Sequence, residues 1–419
     1  MPDDLRYVLL LFALFVVPRI LQRYRLPSAI TSFLLGAGVA FSGAEVIPHG
    51  PTLPLLATFG IASMFLVAGL EVNVAELRRG ARVIWEHVAL HALVVAVAAV
   101  AVAAPLGIGA RPAALVALAL FTPSTGFILS SLPQLGVAVE EQFWIRAKAI
   151  ATELLALATL FVTLQSTSAE RLVAATAALL VMTFVLPVAF RLFAARIAPV
   201  APRSEFAFLL MLAVVAAYIT KALGVYYLVG AFLVGAAAQS FRERLPALSS
   251  ESLVHAVEAF ASLFAPFYFF YAGTHLRPQD FPPRALLVGV GLLAVCVPLR
   301  VLLVLMHRRA AFGQSLRVGL PVALALTPTL VFTLVLAEIL RDRFAAAPWL
   351  VGALIIYTVG NTLVPGFALH GRASELDVLQ PDALADAGDP ATAHAGPPPP
   401  DRQATPPAIT LPSPARHSR

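Results

Sequence analysis

Two residues in this chain of 419 are of types that an apolar helix rarely tolerates. Glu153 sits in Ala149-Ile150-Ala151-Thr152-Glu153-Leu154-Leu155-Ala156-Leu157, and Arg300 sits in the apolar stretch Val295–Val304. A charge at membrane depth is costly, so each is a candidate functional residue. Burial disfavours the charged form of a carboxylate and brings protonation within reach of cytoplasmic pH. When ionised, the same oxygens are hard ligands for a small cation. One carboxylate can thus hold a proton or a metal ion but not both, the simplest chemistry for exchange. The competing reading is a Glu153–Arg300 salt bridge that only locks a helix bundle.

A second signal is independent of charge. Two apolar stretches are interrupted, one by Thr122-Pro123-Ser124-Thr125-Gly126 and the other by Thr327-Pro328-Thr329. Proline removes a backbone donor and frees a carbonyl, so mid-span Pro with Thr or Ser neighbours marks an unwound segment. Interrupted spans at matching places in two halves point to an inverted repeat with a site near the midplane. His87 and His91 have i,i+4 spacing that could suit a metal, but they lie near a span end and lack further ligands. Glu71, Glu258, His275 and Glu338 fall near span ends, where anchoring, snorkelling or capping accounts for them. Gly224, Gly230 and Gly235 are expected to permit close helix packing, and Asn361 to hydrogen-bond the opposing crossover.

The elements that position these residues are spanning helices. The chain is 59% hydrophobic and only 12% charged, about half the charge of an ordinary soluble domain. Lipid leaves few other ways to satisfy the backbone, so the fold class is all-α and polytopic. Thirteen spans are expected, at about 5–21, 27–46, 53–71, 82–105, 112–135, 143–165, 171–194, 204–221, 225–240, 255–275, 284–306, 315–340 and 347–369. Spans four to six and eleven to thirteen form the matching triplets. The odd count orients the fifth and twelfth spans oppositely, as inversion requires.

The formal charge of +6 does not indicate nucleic acid, because the arginines sit singly or in pairs between apolar runs. Basic residues such as Arg23, Arg78, Arg191, Arg242 and Arg308 outnumber those on the alternate loops, such as Arg111, Lys221 and Arg341. The positive-inside rule then places the N-terminus outside and the C-terminus in the cytoplasm. Asp3 and Asp4 replace a basic leader region, so the first span is expected to be retained. Cys296, the lone cysteine, lies in an apolar run and offers no internal disulfide. Residues 371–419 are polar and rich in Pro and Ala, and are expected to form a disordered tail beyond a transmembrane domain of residues 1–370.

Segments in order along nearly the whole apolar part carry a family resemblance. They are Tyr24-Arg25-Leu26-Pro27 with Phe33-Leu34-Leu35-Gly36, Phe65-Leu66-Val67-Ala68-Gly69-Leu70-Glu71, Thr122–Thr125, Leu228–Gly235, Phe264–Phe270 with Ala272-Gly273, and Arg300. The chain resembles bacterial monovalent cation:proton antiporters of the second family, the Kef-type sodium or potassium exchangers. The resemblance implies an inner-membrane homodimer with an inverted-repeat fold. Its six-helix core would take in about 82–165 and 284–369, with the remaining helices as a dimerisation scaffold.

Glu153 falls where such proteins carry an aspartate, and Arg300 where they carry a basic partner. Two departures are visible: Thr152-Glu153 replaces the usual polar–Asp pair, and Thr327-Pro328-Thr329 stands near where Kef-type members carry Gly-Glu-Phe. Residues 371–419 contain no G-x-G-x-x-G, and no nucleotide-binding regulatory domain is expected in them. The expected mechanism is alternating access with Glu153 as the shared site of H+ and Na+ or K+. Thr122, Ser124, Thr125 and Thr152 would supply further oxygens, and Arg300 would neutralise the unloaded carboxylate. One titrating acid implies one proton per cation, hence electroneutral exchange. Rival readings are a related carrier for an anionic solute and a non-transporting membrane subunit. No nucleophile–base pair occurs at membrane depth, so an enzyme is not expected, nor a cofactor.

Overall fold

The computed structural model describes residues 3–42, 50–73, 77–78, 80–132, 137, 139–201, 204–224, 227–242 and 251–369. The expected tail 371–419, residues 43–46 of the second expected span, and the loop residues Arg79, Arg203 and Arg244 lie outside them. The described elements are helical throughout: α1 (Asp3–Gln22), α2 (Ser28–Ser42), α3 (Thr52–Leu70), α4 (Ala81–Leu106), α5 (Ala110–Phe121), α6 (Thr125–Ser131), α7 (Val139–Gln165) and α8 (Ala169–Leu192). There follow α9 (Glu205–Ala222), α10 (Tyr227–Arg242), α11 (Glu251–Thr274), α12 (Pro283–Phe312), α13 (Leu316–Ala325), α14 (Leu330–Phe344) and α15 (Pro348–Ala368).

Ten described helical stretches are long and apolar enough to cross a bilayer, α5 and α6 counting together as one. The bent pair α13–α14 makes an eleventh, and the shorter apolar stretches Ser28–Ser42 and Leu228–Phe241 correspond to the other two expected spans. The chain is therefore a multi-pass membrane protein. Its span ends follow local chemistry. Pro283 and Pro348 open α12 and α15 at first-turn positions, where a missing N–H costs nothing. Gly107 and Gly313 close α4 and α12 in the left-handed conformation, at φ 61° and 64°.

Both interrupted spans break where Thr-Pro predicts. Thr122 and Ser124 are extended, with ψ of 120° and 95°, so α5 stops at Phe121 and α6 restarts at Thr125. Pro123 dictates this, since its ring pushes the residue before it out of the helical region. Leu326 to Thr329 separate α13 from α14, which meet at 48°.

The helices pack in two groups. In one, α3 lies against α10 and α11, with α2 against α11, α9 against α10, α1 against α2 and α8 against α10. In the other, α12 packs on α13 and α15, α4 on α5 and α7, and α14 on both α5 and α15. The groups touch through α3 with α6 and α7 with α8. Within the first, glycines set the spacing. A Cβ on Gly69 would strike the carbonyl of Phe232, and one on Gly235 the carbonyl of Leu66, so α3 and α10 meet backbone to backbone. Gly36 and Gly273 do the same for α2 and α11, and Gly230 for α10 against Ala216 of α9. Gly224 differs from the packing role expected of it: at φ 73° it forms the turn after α9. In the second group, α5, α14 and α15 are sheathed by their neighbours, Val116 to Leu120 and Leu330 to Ala337 being buried without a gap.

Candidate functional site

The two breaks meet. The backbone N–H of Ser124 donates to the carbonyl of Pro328 at 2.8 Å, a bond between the interruptions themselves. Around it, several backbone groups of the two breaks find partners from other helices. Tyr357 of α15 donates its hydroxyl to the Leu120 carbonyl at 2.5 Å, and Thr333 of α14 donates to Ala119 O at 2.7 Å. Asn361 of α15 serves the other break. Its Oδ1 accepts the Thr329 N–H at 3.2 Å, and its Nδ2 donates to Thr329 Oγ1 at 2.9 Å. Thr358 and Thr333 complete a buried hydroxyl cluster on Thr329 at 2.9 and 2.8 Å. In a medium without water these side chains do what the missing helical bonds cannot.

Arg300 belongs to the same crossing. It donates to the carbonyls of Thr327 at 2.6 Å and Leu326 at 2.7 Å, and to the Tyr357 hydroxyl at 3.3 Å. Its guanidinium thus ties off the carbonyl end of α13, where both the free lone pairs and the helix dipole favour a cation. The expected Glu153–Arg300 pair does not form: among the described ion pairs and hydrogen bonds, Arg300 faces backbone carbonyls and a phenol. The physical reason is geometric. The planar fork matches two adjacent carbonyls left open where α13 ends, and α12 presents it to its own repeat.

Glu153 lies on α7, 2% exposed. The backbone and hydroxyl of Thr125, at the start of α6, act on its carboxylate, yet Oε2 of Glu153 and Oγ1 of Thr125 close no hydrogen bond. Thr122 is fully buried at the same break, and its Oγ1 is likewise without a partner. Three side-chain oxygens without a hydrogen-bond partner in the protein, Glu153 Oε2, Thr122 Oγ1 and Thr125 Oγ1, thus belong to this one interruption and the helix beside it. Thr152 contributes no oxygen here, because its hydroxyl bonds back to the carbonyls of Lys148 at 2.8 Å and Ala149 at 3.0 Å. Pro123 and Pro328 supply the unwinding, and the Thr327 hydroxyl bonds Leu324 O at 2.8 Å.

Two cavities flank the crossing from opposite ends of α3. One of about 430 Å³ is lined by Met64, Val67 and Glu71 of α3 and by Gly126, Phe127 and Ser130 of α6. The other, about 190 Å³, is lined by Ala57 and Ile61 of α3 with Leu334, Glu338 and Arg341 of α14. Gly126 follows the first break and Leu334 the second, so each cavity reaches one broken helix.

Several polar residues here escaped the sequence reading. Tyr357 and Thr333 look like ordinary span residues until the break they face is known. Lys148 is wholly buried, with Nζ 3.1 Å from His307 Nδ1. Arg308 is 1% exposed and bonds Glu141 and Gln314, tying the start of α7 to the α12–α13 turn. A signal was available for Lys148, which lies five positions before Glu153 within one apolar span. Among the described residues no group of three or more His, Cys, Asp or Glu side chains is placed to hold a metal ion.

The geometry can be set beside known proteins. The model of the family described as "Sodium/hydrogen exchanger, transmembrane" matches residues 9–371. No curated protein matches the sequence. The fold is similar to that of the sodium proton antiporter MjNhaP1 from Methanocaldococcus jannaschii. Its structure at pH 8 aligns with TM-score 0.63 and 16% identity over 91% of this chain and 97% of that one. An electron-microscopy structure of the same antiporter aligns with TM-score 0.64 and 16% identity over 90% and 98%. The family is one of transporters, not enzymes, and its members exchange cations for protons. Broken spans that cross, a buried carboxylate with one unpartnered oxygen beside them, and a family match over nearly the whole membrane part place this chain in the sodium/hydrogen exchanger family.

Proposed function

We propose that the chain exchanges protons for Na+ or K+ by alternating access, with Glu153 as the shared site. The observation that carries this reading is the buried Glu153 carboxylate whose Oε2 has no partner, beside the unsatisfied hydroxyls of Thr122 and Thr125. A structural carboxylate would be fully bonded. Ser124 offers its hydroxyl as a further oxygen. Exchange is electroneutral, one proton per cation, because one acid titrates at the crossing.

Arg300 acts by holding the α13–α14 break rather than by pairing with the emptied carboxylate. The helices of 82–165 and 284–369 move as a core against the remaining helices, which hold a homodimer together. The two-group packing and the cavities at either end of α3 support that division. The protein lies in a bacterial inner membrane with its N-terminus outside, an orientation the loop arginines support. The larger cavity then opens toward the cytoplasm. The Kef-type branch is favoured by the segments that carry that resemblance; the family match itself covers the broader group. The polar residues 371–419 form a disordered cytoplasmic tail.

The test is pH-gradient collapse in proteoliposomes on adding Na+, K+ or Li+. Collapse that Glu153→Gln abolishes establishes the site and names the ion. Collapse that survives Glu153→Gln removes Glu153 from the mechanism. A carrier for an anionic solute, the rival reading, shows no cation response in either protein.

A further inference from the structure

A cluster of ionisable side chains lies in the second helix group, away from both flanking cavities. His307 of α12 and His87 of α4 face each other with ring centroids 5.3 Å apart. The Lys148 ammonium stands 3.1 Å from His307 Nδ1, and Glu86, at 43% exposed, stands 3.9 Å from His307 Nε2. His91 follows His87 by one helical turn on the same face. Both His87 and His91, with Arg300, Thr152 and Pro123, line a cavity of about 40 Å³, room enough for a water molecule. Three ring nitrogens along this line, His307 Nε2, His87 Nδ1 and His91 Nε2, are buried and bond nothing in the protein. Orphaned imidazole nitrogens cost free energy, and a row of them leading from a half-exposed carboxylate to the crossing is not explained by packing.

We propose that His307, His87 and His91 form a proton-transfer path, completed by water in the small cavity, that reaches the crossing separately from the cavities flanking α3. His307, whose Nδ1 is held by the Lys148 ammonium, takes the proton and hands it on at Nε2. His87 and His91 each accept a proton on one ring nitrogen and release one from the other, so every passage leaves the path neutral and nothing is oxidised or reduced. Glu86 collects the proton at the outer end. Arg300 at the inner end keeps metal cations out by charge while a proton passes between neutral groups. The charged and titratable groups that act on the imidazoles are Glu86 from α4, Lys148 from α7, and Arg300 and Arg308 from α12, with Arg82 paired to Glu86 and Glu141 acting on Lys148. From α5 and α13 the cavity receives only Phe121, Ala323 and Leu326 beside the Pro123 of the break.

The inference rests on the exchange reading, so the experiment separates the two. Proteoliposomes are assayed for pH-driven uptake of radiolabelled Na+, which needs a proton step, and for Na+/Na+ counterflow at equal pH, which does not. His91→Gln, His87→Gln and His307→Gln are each expected to slow pH-driven uptake at least tenfold and leave counterflow within twofold. Counterflow itself certifies the fold. His91→Gln, which leaves the Lys148–His307 contact untouched, is the decisive variant. Equal loss of both processes there means a structural role and overturns the path, as does no loss of either. Glu153→Gln is expected to abolish both. If it spares them, the site assignment fails while the histidine result still stands on its own ratio. If the unaltered protein shows neither process, the exchange reading falls and the path falls with it.

Discussion

Replacing Arg300 with Met removes the donors that hold the α13–α14 break together. The guanidinium makes three hydrogen bonds there, to Thr327 O, Leu326 O and the Tyr357 hydroxyl. Interhelical hydrogen bonds in membrane proteins contribute about 0.6–1.7 kcal/mol each. The substitution should therefore cost about 2–5 kcal/mol, the upper end applying because two buried carbonyls lose their partners. Arg300→Lys should recover part of this, since an ammonium reaches one carbonyl well but lacks the planar fork. The measurement is an unfolding titration of the purified protein in detergent, for Arg300→Met, Glu153→Gln and the pair. With Arg300 serving backbone carbonyls, Glu153→Gln alone leaves stability nearly unchanged and the double variant is additive within about 0.5 kcal/mol. A coupling above about 1 kcal/mol, or a large loss from Glu153→Gln alone, would refute the reasoning. It would restore the salt-bridge reading, in which each charge is stranded when the other goes.

Further outcomes follow from other contacts. Asn361→Ala should cost about 1–3 kcal/mol in the same titration, because it strands the Thr329 amide and takes one donor from the Thr329 hydroxyl. Gly235→Val should lower the yield of folded protein and cost at least about 1–3 kcal/mol, its Cβ meeting the Leu66 backbone of α3; unchanged thermal stability would contradict the backbone-to-backbone packing. Asp280 is 1% exposed and bonds Arg341 at 2.6 Å and the Arg277 N–H at 2.9 Å. Asp280→Ala should destabilise by about 3 kcal/mol, more than Arg341→Ala, since only the acid also organises its own turn.

The all-helical, multi-pass class and the break positions were legible because both rest on local chemistry. Runs such as 82–105 and 284–306 have no alternative to helix in lipid, and Thr122-Pro123 and Thr327-Pro328 each forbid continuation at a fixed residue. The depth of Glu153 was legible for the same reason. The role of Arg300 was not. From composition an acid and a base at similar depth suggest each other, whereas the actual partners of Arg300 are carbonyls that any residue type would carry. Thr152 misled similarly: a threonine next to a buried acid reads as a ligand, but in a helix its hydroxyl has the carbonyls of the preceding turn within reach. His87 and His91 read as a poor metal pair because their neighbour His307 arrives from a helix far along the chain. Gly224 read as a packing glycine because its positive φ belongs to a turn that periodicity does not mark.

The bond from Ser124 to Pro328 also bears on how the protein is made. The first interruption leaves the ribosome long before the second, and at about 5–20 residues per second the interval is about 10–40 s. Throughout it the Ser124 amide has no lasting partner, and neither do the carbonyls of Ala119 and Leu120 that Thr333 and Tyr357 later cover. The first half must therefore wait in the bilayer with an unfinished segment, sheltered by water, lipid headgroups or insertion machinery. A nascent chain stalled before α14 should be caught by membrane quality control, and the second half, made alone, should fare no better.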